Sequence, residues 1–134
     1  MVVVIKYQWL LEYQQLKEEI DLLKWKIRKS ELELERWMDP RDLGNLKLSK
    51  ESKSAKIEKN IKRDEAILNE KELSMEALLI MINRFTGLDN KILKMKYIDG
   101  RSLKDIAEEL SYSYSYIMTR HAQLVKVIKF IEDL

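Results

Sequence analysis

From Ile5 to Met38 the chain contains neither glycine nor proline, and its apolar residues recur at alternating intervals of three and four. That spacing places them on one stripe of an α-helix, in the heptad pattern of helices that pack side by side. The two heptad positions hold Tyr13, Ile20, Ile27 and Leu34, and Trp9, Leu16, Leu23, Ser30 and Trp37. We predict a single helix of about 50 Å over residues 5–38. Asp39–Pro40 should end it, because the residue before a proline is pushed out of the α region.

A second heptad stripe follows between residues 57 and 85. It comprises Ile57, Ile61, Leu68, Met75, Leu78, Ile82 and Phe85. Asp64 and Lys71 occupy would-be core positions in this stripe, so we expect weaker packing near residues 64–71. Ser49 or Ser52 is the expected N-cap, and the helix should end at Thr86–Gly87, since glycine favours the position after a helix. Two long helices joined by a short connection predict an antiparallel, coiled-coil-like hairpin over residues 1–87.

The rarer residue types exclude several kinds of chemistry. With no cysteine the chain has no disulfide or thiolate, and one histidine cannot build a multi-histidine metal site. No Gly-rich phosphate loop or catalytic-triad pattern is present. No apolar run approaches the roughly 20 residues that span a bilayer, and Met1–Ile5 is too short for the core of a secretory signal. We expect an all-α bacterial cytoplasmic protein without membrane contact, cofactor, metal, small-molecule substrate or enzymatic activity.

Positive charge is concentrated in two segments, although the formal net charge of the chain is only +2. Residues 45–63 contain seven basic and two acidic residues. Their six lysines, at every third position from Lys47 to Lys62, would wind around a helix, so we interpret them as a solvated segment rather than a phosphate-binding stripe. Residues 111–131 contain three basic residues and no acidic one, which favours an anionic partner for that segment.

After Gly87 the pattern changes to three helices separated by tight turns. Asp89 is the expected cap of the first helix, and Asp99–Gly100 should end it. The expected buried face of this helix comprises Ile92, Leu93 and Tyr97. Ser102 should cap the second helix, over residues 103–110.

A tight turn at residues 111–113 leads to the last helix, which we expect to be capped by Ser113 and to reach about Asp133. Its expected buried stripe comprises Ile117, His121, Leu124, Ile128 and Ile131. Ala107 is small where the last helix has to cross the second, and Tyr112 is expected to pack across the turn. We interpret His121 as a core histidine with a hydrogen-bond partner. A short helix, a tight turn and a longer helix that starts with small polar residues predict a helix-turn-helix in a three-helix domain at residues 88–134.

Residues 88–124 resemble region 4 of sigma-70-type factors. The matching elements are Ile92–Tyr97, Gly100, Ser102–Leu110, Ser113 and Ile117. With its helical first half, the chain is most similar to small phage-encoded transcription activators of the RinA and ArpU type. The resemblance implies sequence-specific binding to double-stranded DNA and control of late genes from a phage or prophage, with host RNA polymerase as a further partner. Ser111 departs from the pattern, because it stands where the turn usually has glycine.

The last helix divides into faces once its buried stripe is set. Ser115, Thr119 and Gln123 are polar side chains that could read base edges in a major groove. Arg120 and Lys126 would lie near phosphates. The candidate DNA-binding residues are Arg101, Ser102, Lys104, Ser113, Tyr114, Ser115, Tyr116, Met118, Thr119, Arg120, Gln123 and Lys126.

Three functions remain open at this point. We favour a DNA-binding transcriptional regulator, and the alternatives are a small-terminase-like DNA-recognition protein for packaging and an RNA polymerase-interacting sigma-like module. Leu22, Trp25 and Leu32 form a second apolar face on the first helix, which would be covered by the C-terminal domain or by a second chain. We favour a homodimer formed through those three residues.

Overall fold

The computed structural model describes residues 7–38 and 47–134, and within them the protein is all-α with no strand. The helices are α1 (Tyr7–Leu11), α2 (Tyr13–Met38), α3 (Lys47–Arg84), α4 (Gly87–Leu93), α5 (Leu103–Leu110) and α6 (Tyr114–Glu132). A single π-helical turn, Lys94–Ile98, continues α4. The predicted fold class, a long helix pair followed by a helix-turn-helix, is confirmed. None of the described helices is long and apolar enough to cross a membrane.

The long helices differ from the sequence prediction at their ends. The first is interrupted by a turn at Glu12, although hydrogen bonds from Glu12 N to Gln8 O (3.1 Å) and from Leu16 N to Glu12 O (2.8 Å) carry the helical ladder through it. The second already begins at Lys47, so the predicted capping by Ser49 or Ser52 is wrong. The predicted start at Ile5 and the predicted break at Asp39–Pro40 lie outside the described residues.

The contacts divide the chain into two compact units. One combines the residues up to Lys17 with Leu73–Leu134, and the other is Glu18–Glu72. In the first unit, Leu10 of α1 and Leu78 and Ile82 of α3 are fully buried in one core with residues of α4, α5 and α6. This core crosses residue 87, where the sequence places the domain boundary, because the hydrophobic surface of the short helices is closed by the ends of the long ones.

In the second unit, charged pairs hold the two helices in an antiparallel register. Lys71 Nζ donates to Glu19 Oε2 at 2.5 Å, and Lys26 Nζ lies 3.3 Å from Asp64 Oδ2. In each pair the two residue numbers add up to 90. The antiparallel register of the two helices is therefore the same at both contacts. Asp64 and Lys71 interrupt the apolar stripe as the sequence indicates, and the facing helix supplies an opposite charge for each.

Asp64 is the charged residue that the described structure buries, with a relative exposure of 1%. Arg63 donates two hydrogen bonds to its Oδ1, at 3.2 and 3.1 Å, whereas Oδ2 accepts no hydrogen bond. The side chains of Lys26 and Arg63 are about half exposed (50% and 56%), so water can solvate both cations if the carboxylate is removed.

Leu22, Trp25 and Leu32 are exposed in the second unit, at 64%, 62% and 49%. Lys29 Nζ lies 5.4 Å from the centre of the Trp25 ring, so a charge stands within this apolar face. Self-association through these three residues stays a prediction.

Replacing the buried carboxylate with an apolar side chain should stabilise the protein. We expect Asp64→Leu to raise the free energy of unfolding by about 1–2 kcal/mol, because it extends the apolar stripe and leaves no cation buried. Asp64→Asn, which keeps a polar group of the same size, should lower it. Urea unfolding followed by circular dichroism measures both. If Asp64→Leu is as destabilising as Asp64→Asn, the ion pair is a net source of stability.

Candidate nucleic-acid interface

Two serine caps set the ends of the helices in the helix-turn-helix. Ser102 Oγ accepts from Asp105 N and Ser113 Oγ accepts from Tyr116 N, each at 3.1 Å. Each hydroxyl satisfies one of the backbone N–H groups that have no partner within the helix. Both predicted caps are confirmed. Asp89 is not the cap of α4, because that helix begins at Gly87 after Thr86.

The turn between α5 and α6 depends on Ser111, which has φ +61° and ψ +38°. Tyr112 N donates to Ala107 O at 3.0 Å and Ser111 N to Glu108 O at 3.3 Å, the two hydrogen bonds of a Schellman motif. Glycine is favoured here because a Cβ atom costs about 1–2 kcal/mol in the left-handed region. The turn accepts the Cβ of Ser111, as the departure from the usual glycine required.

One side of α6 is packed and the opposite side is exposed. Ile117, Leu124 and Ile128 are buried, and Ser115, Thr119, Ala122 and Lys126 on the opposite side are all exposed. We call these four residues the recognition face. Met118, Gln123 and Tyr116 beside it are exposed as well. Ile131 is 60% exposed, so its predicted burial is wrong: α6 extends beyond Ile128, the last buried residue of the helix.

Arg120 is held by an acidic partner on α4. Its Nε donates to Asp89 Oδ1 at 2.6 Å, its Nη2 to Asp89 Oδ2 at 2.7 Å, and its Nη1 to Gln123 Oε1 at 3.2 Å. The hydrogen bonds to Asp89 raise the pKa of Arg120 above its already high value. This two-point contact ties α6 to α4, and it offsets the charge that the sequence assigned to a phosphate.

The other candidate cations differ in their surroundings. Arg101 forms an ion pair with Glu109 at the end of α5, so its charge is also matched within the protein. Lys104 and Lys126 are exposed and form no ion pair with any residue that the structure describes. These two lysines are therefore the cations best placed to meet a polyanion.

The tyrosines around the turn lie on the surface. Tyr112 stacks on Tyr116 with 5.2 Å between ring centres and 19° between ring planes. The predicted packing of Tyr112 across the turn is confirmed by this contact, although its side chain remains 47% exposed. Tyr114 is 50% exposed. All three phenols are exposed where α6 begins.

A polar network within the first unit links α6 to Tyr97 and to Tyr7 of α1. Tyr97 Oη lies 2.7 Å from His121 Nε2 and 3.1 Å from Tyr7 Oη. Glu132 Oε2 accepts from Tyr7 N at 3.0 Å, and Lys129 Nζ lies 4.9 Å from the centre of the Tyr7 ring. His121 thus has the partner predicted for a core histidine. The role of Tyr7 was missed, since no local pattern links residues 125 positions apart in sequence.

Burial and nearby charge shift the ionisation of this network. Burial, with Lys96 nearby, lowers the pKa of His121, and burial together with the hydrogen bond to Tyr7 raises the pKa of Tyr97. His121 is therefore neutral in the folded protein at neutral pH. The remaining described residues form no cluster of acidic or histidine side chains that could hold a metal ion.

No protein-family model, curated protein or solved structure matches this chain. The site is therefore defined by its own geometry: two capped helices, a left-handed turn and an exposed face of small and polar side chains.

Replacing Ser111 with glycine should stabilise the turn. We expect Ser111→Gly to raise the free energy of unfolding by about 0.5–1 kcal/mol, because relief of the left-handed conformation exceeds the entropy that glycine gains in the unfolded chain. Ser111→Ala keeps the Cβ atom and should give no gain. Urea unfolding of the three proteins tests this, and an equal gain for alanine would contradict it.

The lowered pKa of His121 predicts that the folded protein loses stability in mild acid. The folded pKa lies below the unfolded value of about 6.5, so the unfolded chain binds the proton more readily and stability falls as the pH drops through that range. We expect the midpoint of thermal unfolding to decrease between about pH 7.5 and about pH 5. His121→Gln can still hydrogen-bond to Tyr97 but does not titrate, so it should show a smaller decrease. If the midpoint decreases equally in both proteins, groups other than His121 cause the effect.

Proposed function

We propose that this protein is a sequence-specific, double-stranded DNA-binding transcriptional regulator, encoded by a phage or prophage as the resemblance to the RinA and ArpU activators implies. The observation that carries the proposal is the recognition face of α6. Its residues are exposed, small or polar, and free of acidic groups, and they stand opposite a fully packed side. Those are the properties that a helix needs to enter a major groove.

The start of α6 supplies the groups that would read base edges. Ser115 and Thr119 present hydroxyls that can donate or accept, and Ala122 allows close approach. The Gln123 amide oxygen accepts from Arg120, which leaves its amide nitrogen to donate to a base acceptor. Arg120 would thus act on sequence preference by orienting Gln123.

Contacts to the DNA backbone would come from both helices of the helix-turn-helix. Lys104 on α5 and Lys126 on α6 supply charge that no internal partner offsets, and Ser102 and Arg101 lie near Lys104 at the start of α5. Tyr114 and Tyr116 can reach sugars and phosphates from the first turn of α6. Such contacts position the helix without reading sequence.

Selection of bound duplexes from a random pool by the purified protein tests the proposal directly. A recurrent motif is expected, and its affinity should fall with salt, with a slope of log K against log salt near −3.6 for about four neutralised phosphates. Fluorescence anisotropy at several salt concentrations measures the slope. A ring of many subunits would favour a packaging protein, and duplex binding only with RNA polymerase present would favour a sigma-like module.

Substitutions at residues that read bases and at residues that contact phosphates should have different effects on DNA binding. Thr119→Ala should change the preferred sequence by about 1–3 kcal/mol at one base pair, whereas Lys104→Ala should weaken binding to all sequences alike and reduce the salt slope by about one. Anisotropy titrations on the selected duplex and on single-base variants distinguish these outcomes. If Lys104→Ala alters sequence preference and Thr119→Ala does not, α6 is not the reading helix.

A further inference from the structure

Gln123 lies beside the recognition face with one end of its amide already engaged. It is exposed and lies one helical turn beyond Thr119, about 40° around α6 at about 100° per residue. Its Oε1 accepts from Arg120 Nη1 at 3.2 Å. A guanidinium group has only donors, so the amide has to turn its oxygen, and not its nitrogen, toward Arg120. The amide nitrogen, with its two N–H donors, then points away from Arg120.

Asp89 holds Arg120 in the position that this contact requires. Both carboxylate oxygens of Asp89 accept from Arg120, at 2.6 and 2.7 Å, and the side chain of Asp89 is only 21% exposed. A two-point contact between a guanidinium and a carboxylate fixes direction as well as distance. Without it, the exposed hydrogen bond from Arg120 to Gln123 would have to order two long side chains against their rotational freedom. Asp89 therefore holds the amide in one orientation before any ligand binds.

We infer that Asp89, on α4, determines base recognition by α6: it makes Gln123 favour guanine and reject cytosine. The inference rests on the proposed function, because it names the base that the reading helix selects. Asp89 lies outside both helices of the helix-turn-helix. It is a positioning residue, since it acts on DNA only through Arg120 and Gln123.

Guanine and cytosine present opposite hydrogen-bonding groups in the major groove. Guanine presents two acceptors, N7 and O6, whereas cytosine presents only the donor N4–H₂. A glutamine amide that can turn over suits either base, since it can offer its nitrogen or its oxygen. When Arg120 retains the oxygen, the amide of Gln123 offers donors, which suit guanine and repel the amino group of cytosine. Adenine and thymine each present one acceptor and should fall between the two.

The ion pair of Arg101 with Glu109 provides a matched control. It also joins an arginine and a carboxylate in the first unit, and neither residue belongs to α6. Asp89→Asn and Glu109→Gln each remove one negative charge and keep the size of the side chain. Both should raise the affinity for every duplex, because less negative charge opposes the phosphates. A difference in base preference between the two variants therefore reports the orientation of Gln123 and not the charge.

The first measurement uses the duplex motif selected by the full chain. Gln123→Ala identifies the base pair that Gln123 reads, as the position where preference is lost. We expect guanine there, with an affinity at least about fivefold weaker for cytosine. Asp89→Asn should reduce this ratio to less than about twofold, because the released amide can turn over, and Glu109→Gln should leave it unchanged. Gln123→Glu, with an acceptor at both ends, should prefer cytosine.

The double variant of Asp89→Asn with Gln123→Ala shows whether Asp89 acts through Gln123. It should give the same ratio of guanine to cytosine affinity as Gln123→Ala alone, because the group that Asp89 positions is gone. Circular dichroism checks that each variant is folded. A loss of stability alone would weaken binding to all duplexes in equal measure and would not change the ratio.

A second measurement tests the hold of Asp89 on Arg120 without DNA. The Nε–H of Arg120 donates to Asp89, so its proton should exchange with water at least about tenfold more slowly in the unmodified protein than in Asp89→Asn. Nuclear magnetic resonance of the arginine side chains measures both rates. Equal rates would show that Asp89 does not hold Arg120 and would overturn the inference.

The outcomes on DNA distinguish the inference from the proposed function. The inference is overturned, and the regulator stands, if a motif is selected but Asp89→Asn keeps the original ratio. The same holds if Gln123→Ala changes preference at no position, or if a base other than guanine is preferred at the position that Gln123 reads. If no duplex is selected, the proposed function is contradicted and the inference fails with it, whatever the exchange rate of Arg120.

Discussion

The burial of Ile117, Leu124 and Ile128 on one side of α6 is the constraint on which the other features of this protein depend. These side chains can leave water only against the core formed by the remaining helices of their unit, so the rotation of α6 about its axis is fixed. The recognition face follows from that rotation, because its residues are positions on the same helix.

Much of the charge in this protein forms ion pairs between its own helices. The arginines near the helix-turn-helix, Arg101 and Arg120, are matched by Glu109 and Asp89, while Lys104 and Lys126 are left to solvent. Arginine suits the first role because its planar fork engages a carboxylate at two points. In the second unit, opposite charges across the helices fix the register of the hairpin where the apolar stripe is interrupted.

The aromatic and histidine network links α6 to the first helix of the chain. Tyr97 stands between Tyr7 and His121, so residues from the beginning, the middle and the end of the described chain share one set of hydrogen bonds. Together with Leu10 in the core, this contact makes α1 part of the helix-turn-helix unit, although α1 continues almost directly into the hairpin.

The sequence by itself determined the features that arise from neighbouring residues. Heptad spacing predicted the helices, Ser102 and Ser113 predicted their caps, and the wheel through Ile117 and Leu124 predicted the exposed face, because hydrogen bonds and periodicity within a few residues decide each of them. Only the tertiary structure decided which distant groups meet. The pairing of Arg120 with Asp89, the pairing of Asp64 with Lys26 and the contact of Tyr7 with Tyr97 depend on how separate helices are placed, and no local pattern encodes that placement. For the same reason Ile131 continues the apolar period yet is exposed: whether a helix position is buried depends on whether another element covers it.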